Sequence, residues 1–262
     1  MDENLIFEKI KKFKQKMSFN VINDIIFFEE IDSTNKYAKK IAQDNNFGVA
    51  IIAKKQKTGR GRFDRSWESP VGGIYLSLIL KPEISVEKSS ILPLAASLSV
   101  LKTIKKYNLN PKIKWPNDVR ILNKKIAGIL LESQITENKF DYIIIGFGIN
   151  LNINQFSKNI KKNSTSLSIE LKRKINYIEF LTNLFSNIDL YFQSFDSKKI
   201  QKIITEWKKN TDTIGKKVKI QTIKNEIIGI AQDIDEYGYL EIKDENNFIH
   251  KITNGDCIHL DD

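Results

Sequence analysis

Cysteine and histidine are nearly missing from this chain: Cys257, His250 and His259 are the whole supply in 262 residues. A lone cysteine excludes an internal disulfide and a thiolate zinc cluster, and two histidines leave a multi-histidine metal site short of ligands. No apolar run reaches the ~20 residues that span a bilayer. The N-terminus, Met1-Asp2-Glu3-Asn4, is acidic and runs into a lysine-rich amphipathic stretch, without the basic start and long apolar core of a secretory signal. The cytoplasm is the address these absences suggest. Phosphate-loop and dinucleotide-binding glycine patterns are missing too. No Ser/His/Asp or reactive-cysteine arrangement stands out, so an enzyme built from this chain would work by neutralising and positioning charge.

What is present is ordinary for a globular protein: 41% hydrophobic and 28% charged residues, with length enough for one large domain and a small appendage. The formal charge of +10, from 42 basic and 32 acidic residues, raises the question of nucleic acid. The lysines are scattered through nearly every segment, and no basic run is interleaved with stacking aromatics. The charge therefore reads as compositional bias, in a chain rich in Lys, Ile and Asn.

Hydrophobic periodicity predicts a helix over Leu5 to Phe19, a strand at Ile25–Phe28, a helix over 36–43 and a strand at Val49–Ala53. Further strands are expected at Ile74–Leu80, Lys112–Trp115, Val119–Leu122, Ile126–Glu132 and Tyr142–Ile153, with a long helix over Ser89–Tyr107. Helices follow over Tyr177–Phe195 and Lys198–Lys209. From Gly215 the pattern turns to short alternating strands, expected at 217–223, 226–233, 239–242 and 248–252, which predicts a small all-β barrel.

Four segments carry side chains that a purely structural account does not need. Asp32-Ser33-Thr34-Asn35 is a helix cap whose N-terminus also attracts anions. Gly59-Arg60-Gly61-Arg62-Phe63-Asp64-Arg65-Ser66-Trp67 sets three arginines beside one another, either as a solvated basic turn or as a loop completed by an anionic ligand. Lys114-Trp115-Pro116-Asn117-Asp118 places an amide and a carboxylate at a tight corner, an ordinary Pro-Asn turn or a place for Mg²⁺ and a nucleotide. Lys124-Lys125-Ile126-Ala127-Gly128 and Gly146-Phe147-Gly148-Ile149-Asn150 pair a lysine with strand glycines, which either merely pack or admit close backbone approach.

In this order, together with Gln56, Ser69-Pro70, Leu76-Ser77 and Glu132, the segments resemble the biotin protein ligase family from about Ile25 to Leu260. The resemblance implies an α+β fold: a mixed β-sheet backed by helices, with a small C-terminal SH3-like β-barrel. It implies an extension over 1–24, a catalytic domain over 25–212 and a C-terminal domain over 213–262, in the monofunctional form without an N-terminal DNA-binding domain. The implied reaction uses ATP and Mg²⁺ to activate biotin as biotinyl-5′-AMP, then passes biotin to a lysine of a biotin carboxyl carrier domain, such as that of acetyl-CoA carboxylase. No DNA or membrane partner is expected, and a homodimer through edge strands is compatible with the resemblance. A lipoate or octanoate ligase or transferase of the related fold is the neighbouring reading, and a nucleic-acid-binding protein the distant one.

By position in the motifs, the resemblance gives Arg60, Arg62 and Lys125 the catalytic charge neutralisation. Ser33, Thr34, Asn35 and Gln56 would hold biotin, Gly61 and Gly128 would admit backbone, and Trp67 would cover the ligand. Asn117, Asp118 and Asn150 would serve the nucleotide, Asp118 with the Mg²⁺. The family often has glycine where Asp64 stands. An acidic residue there is expected to pair with Arg60, Arg62 or Arg65 in the empty enzyme and to weaken retention of the adenylate. The Arg60–Arg65 segment is expected to be mobile until ligand orders it.

Overall fold

The computed structural model describes residues 18–222 and 225–260, together with Ile10, Lys12, Phe13 and Gln15. The helix expected over Leu5 to Phe19 lies largely outside these residues. Seven strands form the main sheet: β1 (Asp24–Ile31), β2 (Val49–Gln56), β3 (Ile74–Leu80), β4 (Lys112–Lys114), β5 (Asp118–Ile121), β6 (Lys124–Thr136) and β7 (Lys139–Ile149). Their order is β1-β2-β3-β7-β6-β5-β4, with β1 and β2 parallel and every other pair antiparallel. The mixed sheet is thus as expected. The strand expected to run to Ile153 ends at Ile149 instead. Trp115, expected in a strand, is the buried first residue of a turn with a cis Trp115–Pro116 peptide.

Because side chains alternate across a strand, the sheet has two faces with different fates. One face carries Leu76, Leu78, Ile143, Ile145 and Phe147 into the main core. There it meets α2 (Ile91–Lys105), α4 (Tyr177–Phe192) and α5 (Ser197–Asn210). Helix α2 is buried on nearly every side, and its Ser97, Ser99 and Thr103 hydroxyls donate back to carbonyls one turn earlier. Those bonds remove the cost of burying unpaired hydroxyls. On the other face α1 (Thr34–Ala42) lies over a small cluster of Ala38, Ala42, Ile51, Ile79, Tyr142 and Ile144. Ser33 caps α1, Asn176 caps α4, and Asp196 caps α5, each accepting backbone N–H groups of its first turn. The short α3 (Leu167–Leu171) is capped by Ser166.

The C-terminal strands β8 (Lys217–Gln221), β9 (Glu226–Ile234), β10 (Leu240–Lys243), β11 (Ile249–Ile252) and β12 (Asp256–His259) make an antiparallel sheet in the order β11-β10-β9-β8-β12. Strand β12 was not anticipated: four residues after an Asn-Gly turn are too few to show an alternation. Among the described residues β11 and β12 do not pair with each other, so the expected barrel is an open sheet in its hydrogen bonding.

A buried polar joint holds this sheet to the main one. Arg120 on β5 approaches His259 Nδ1 at 3.4 Å, while Thr213 Oγ1 lies 3.1 Å from His259 Nε2 and accepts the Trp115 N–H at 3.0 Å. Arg120 can only donate, so Nδ1 accepts and the proton of the neutral ring belongs on Nε2. Cys257, two residues before His259, is buried, and burial pushes its thiol up to about 12. The thiolate is the reactive form. In the folded protein at pH 8, Cys257 should therefore resist an aromatic disulfide reagent, and labelling should follow the urea unfolding transition. Rapid stoichiometric labelling without denaturant would contradict this packing.

Candidate active site

On the face under α1, the register places small side chains in two adjoining rows. Ser77 of β3 pairs with Gly146 of β7, which pairs with Leu130 of β6. One step along, Tyr75 pairs with Gly148, Gly148 with Gly128, and Gly128 with Asp118. The glycines leave backbone bare for two side chains from elsewhere. A Cβ on Gly146 would lie 2.3 Å from Asn35 Oδ1, and one on Gly148 would lie 2.5 Å from Trp67 Cε2. A Cβ on Gly128 would meet the same indole at 2.9 Å and Lys125 Cε at 3.0 Å. The cleft above these rows has a volume of about 150 Å³.

Hydroxyls and amides form its inner wall. Gln56 Oε1 accepts from the Thr34 N–H at 2.8 Å and lies 3.0 Å from Thr34 Oγ1. Gln56 Nε2 donates to Ser69 Oγ at 2.9 Å. Ser77 Oγ lies 2.7 Å from Thr34 Oγ1 and 2.5 Å from Asn35 Oδ1, and Asn35 Nδ2 donates to Glu132 Oε2 at 2.7 Å. Ser33, Thr34, Asn35 and Ser77 are all buried. Held this way, the wall offers oriented donors and acceptors to a small polar head group.

The outer wall is charged. Lys125 Nζ lies 2.6 Å from Asp118 Oδ1 and 5.2 Å from the centre of the Trp67 ring. The Arg62 guanidinium donates to Asn254 Oδ1, to the Gly255 carbonyl at 3.1 Å and to Asn117 Oδ1 at 3.4 Å. Burial lowers its pKa, against the pull of Asp118 and Asp256. Arg65 pairs with Asp256 at 2.6 Å, and that hydrogen bond raises its pKa. Arg60 also faces the cleft and forms a β-bridge with Ser66, while the Gly61 N–H donates to the Arg65 carbonyl at 2.7 Å. Four cations thus share the lining with two carboxylates, which favours anionic ligands.

Every site residue expected from the sequence lines this cleft except Asn150. Asn150 is set back and buried, its amide donating to the carbonyls of Thr165 at 3.0 Å and Lys125 at 3.4 Å. The partner expected of Asp64 is a second difference. Asp256 takes Arg65, and Asp64 sits in a turn in the left-handed region, with φ of 55°, next to Phe63 at 54°. Asn254, Gly255 and Asp256 were missed because Asn-Gly-Asp reads as a hairpin turn. Only the docking of the second sheet makes that turn part of the site. Glu132 and Ser77 were visible as motif residues, but their bonds to Asn35 were not.

A bare-backbone pocket with an amide and hydroxyl wall, opening on Lys125 and an arginine loop, suits a small carboxylic acid that must be brought against phosphate. Residues 27–150 match the Biotin/lipoate A/B protein ligase family, and residues 213–260 match the Biotin protein ligase C terminal domain. The chain is 33% identical over 237 residues to the bifunctional ligase/repressor BirA of Bacillus subtilis, covering 88% of this chain and 73% of that protein. It is 28% identical to the biotin–[acetyl-CoA-carboxylase] ligase of Paracoccus denitrificans, over 81% of this chain and 91% of that one. Among solved structures it is similar to the Aquifex aeolicus biotin protein ligase in complex with biotin and ATP. The TM-score is 0.78 and the identity 28%, over 90% of this chain and 98% of that one. The chain belongs to the biotin protein ligase family.

Two substitutions test this geometry. Gly148→Ala should leave the chain folded but expel the Trp67 indole, with a red-shifted emission relative to the parent protein; an unchanged spectrum would contradict the contact. Asp256→Asn should loosen Arg65 and raise amide exchange across 60–66, while exchange in β7 stays as it was.

Proposed function

We propose that this chain joins biotin to a lysine of a biotin carboxyl carrier domain in two steps. In the first, a biotin carboxylate oxygen attacks the α-phosphorus of ATP, forming biotinyl-5′-AMP and releasing pyrophosphate. In the second, the lysine ε-amine attacks the acyl carbon, the acyl C–O bond to AMP breaks, and the amine loses a proton. The observation that carries this reading is Lys125, which stands at the seam of the polar wall and the arginine loop, over bare strand backbone. A fixed cation there lies between two mutually repelling anions and stabilises charge developing on the phosphate.

In this reading Ser33, Thr34, Asn35 and Gln56 hold the ureido head of biotin, whose donors and acceptors match theirs. Gly61 and Gly128 allow backbone to approach, and Trp67 covers the anhydride against water. Arg60 and Arg62 take the phosphates, so the contacts of Arg62 with the Asn254–Gly255 turn are exchanged for ligand and the loop tightens as a lid. Asn117 and Asp118 face the same phosphates. Asp118 offers one of only two cleft carboxylates, which suits an Mg²⁺ that takes its other oxygens from phosphate and water. Bound there, the ion would supply further charge neutralisation. Asn150 steadies the Lys125 backbone from behind.

The proposed division of labour gives 25–212 the chemistry and 213–262 the Asn254–Asp256 turn, with 1–24 an extension outside both. The acetyl-CoA carboxylase carrier is the proposed acceptor, and the cytoplasm the proposed address. Among the described residues no helix is long and apolar enough to cross a membrane.

With biotin, MgATP and a carrier domain, intact mass should show one biotin added to the carrier, and none when lipoate replaces biotin. Lys125→Ala should lower the rate of biotin-dependent pyrophosphate exchange about 10²–10³-fold, with biotin affinity changed far less. Full exchange activity in that variant would remove the role given to Lys125.

A further inference from the structure

The segment that follows β7 is tied to the site by its backbone and turned outward by its charge. The Lys125 N–H donates to the Asn163 carbonyl at 2.8 Å, and the Thr165 N–H donates to the Lys125 carbonyl at 3.0 Å, giving a bridge between Lys125 and Ser164. At its other end Ser157 Oγ donates to Glu68, the neighbour of Trp67. Between these ties residues 157–163 form a hydrogen-bonded turn: Ile160 N and Lys161 N both donate to Ser157 O, and Asn163 N to Ile160 O. Ile160 is half-buried, whereas Lys158, Lys161 and Lys162 are exposed. Their i, i+3, i+4 spacing sets them on one side of a helical turn.

None of these three lysines forms an ion pair among the described residues. Two carboxylates tied to this segment are engaged, Glu68 by Ser157 and Glu170 by Thr165 Oγ1. Like charges gathered on a rigid turn repel one another at a cost that a partner of opposite charge removes. The patch borders the side of the cleft where Lys125 and Trp67 meet, past which a macromolecular acceptor must deliver its amine.

We infer that Lys158, Lys161 and Lys162 form the docking surface for an acidic face of the acceptor protein domain. The inference rests on the ligase reading above, which supplies an acceptor that is a folded protein. Docking here seats the partner against a segment hydrogen-bonded directly to the backbone of Lys125. The patch steers encounter and sets the carrier KM, without entering the chemistry.

The test compares the parent chain with Lys158→Glu/Lys161→Glu/Lys162→Glu and with a control of equal charge change on α5, Lys198→Glu/Lys202→Glu/Lys209→Glu. The probe is a biotin carboxyl carrier domain of net negative charge. The docking variant should raise the carrier KM about tenfold or more and flatten the salt dependence of kcat/KM. Biotin-dependent pyrophosphate exchange and attack of hydroxylamine on the adenylate should stay at the parent rate. The control should behave as the parent. An unchanged carrier KM and salt slope in the docking variant would overturn the inference, as would an equal effect in the control. Salt-sensitive duplex DNA binding lost in the docking variant, with unchanged carrier kinetics, would assign the patch to nucleic acid instead. If the glutamate variant loses exchange, the corresponding triple Lys→Gln variant decides by the same two readouts. Absence of biotin-dependent exchange in the parent would remove the ligase reading itself.

Discussion

Trp67 rests on bare backbone, and most of the site follows from that. Three glycines, at 128, 146 and 148, occupy neighbouring positions on one face of β6 and β7, and a methyl group at any of them would collide with Trp67, Lys125 or Asn35. Protein interiors are packed too tightly for such overlaps to relax cheaply. The vacant rows bring the arginine loop down onto the sheet through its tryptophan and let α1 insert Asn35 between the strands. They also leave room beside Lys125 for a ligand. The opposite face of the same strands, filled by isoleucine, leucine and phenylalanine, carries the stability that the hollowed face cannot.

Charge is the second constraint. Gathering Arg60, Arg62, Arg65 and Lys125 costs free energy in the absence of anions, and the chain offsets this with two carboxylates on different sheets, Asp118 and Asp256. The first holds the lysine and the second holds the loop. Since Asp256 begins β12, the loop is positioned by the C-terminal sheet, and that sheet is positioned by the buried joint of Arg120, Thr213 and His259. A small β unit that carries none of the chemistry in the proposed mechanism thereby fixes the shape of the arginine loop. The same logic of charge without a partner, seen on the outside at Lys158, Lys161 and Lys162, suggests how a protein substrate is brought to the opening.

Much of this was legible in the sequence, and the limits are physical. The helices α4 and α5 follow from their hydrophobic periodicity, whereas β3, buried at every position, follows from an unbroken apolar run and α2, buried on nearly every side, from the length of its apolar segment. Ser33 capping α1 follows from local hydrogen bonding. Strand β12 escaped because four residues carry too little pattern, and the end of β7 was overrun because Ile149-Asn150-Leu151-Asn152-Ile153 keeps the alternation of a strand after the ladder stops. Asp64 is the carboxylate that lies among Arg60, Arg62 and Arg65 along the chain, yet the carboxylate that holds Arg65 is Asp256, on another sheet. Sequence proximity is a poor guide to ion pairs once the backbone turns, as it does here through two residues with positive φ.

Most of the elements, the family and the kinds of group available can be read from the sequence: amides, hydroxyls, a lysine, arginines and strand glycines. Those depend on local periodicity and on residue chemistry, both readable along one dimension. Tertiary packing settles which strand positions share a row, that Asn150 is set back from the cleft, and that Asn254 to Asp256 hold the arginines of its outer wall. Register flips a whole strand with one residue of slip, and contacts between sheets join residues nearly two hundred positions apart, as Arg65 and Asp256 show. No pattern along the chain records either.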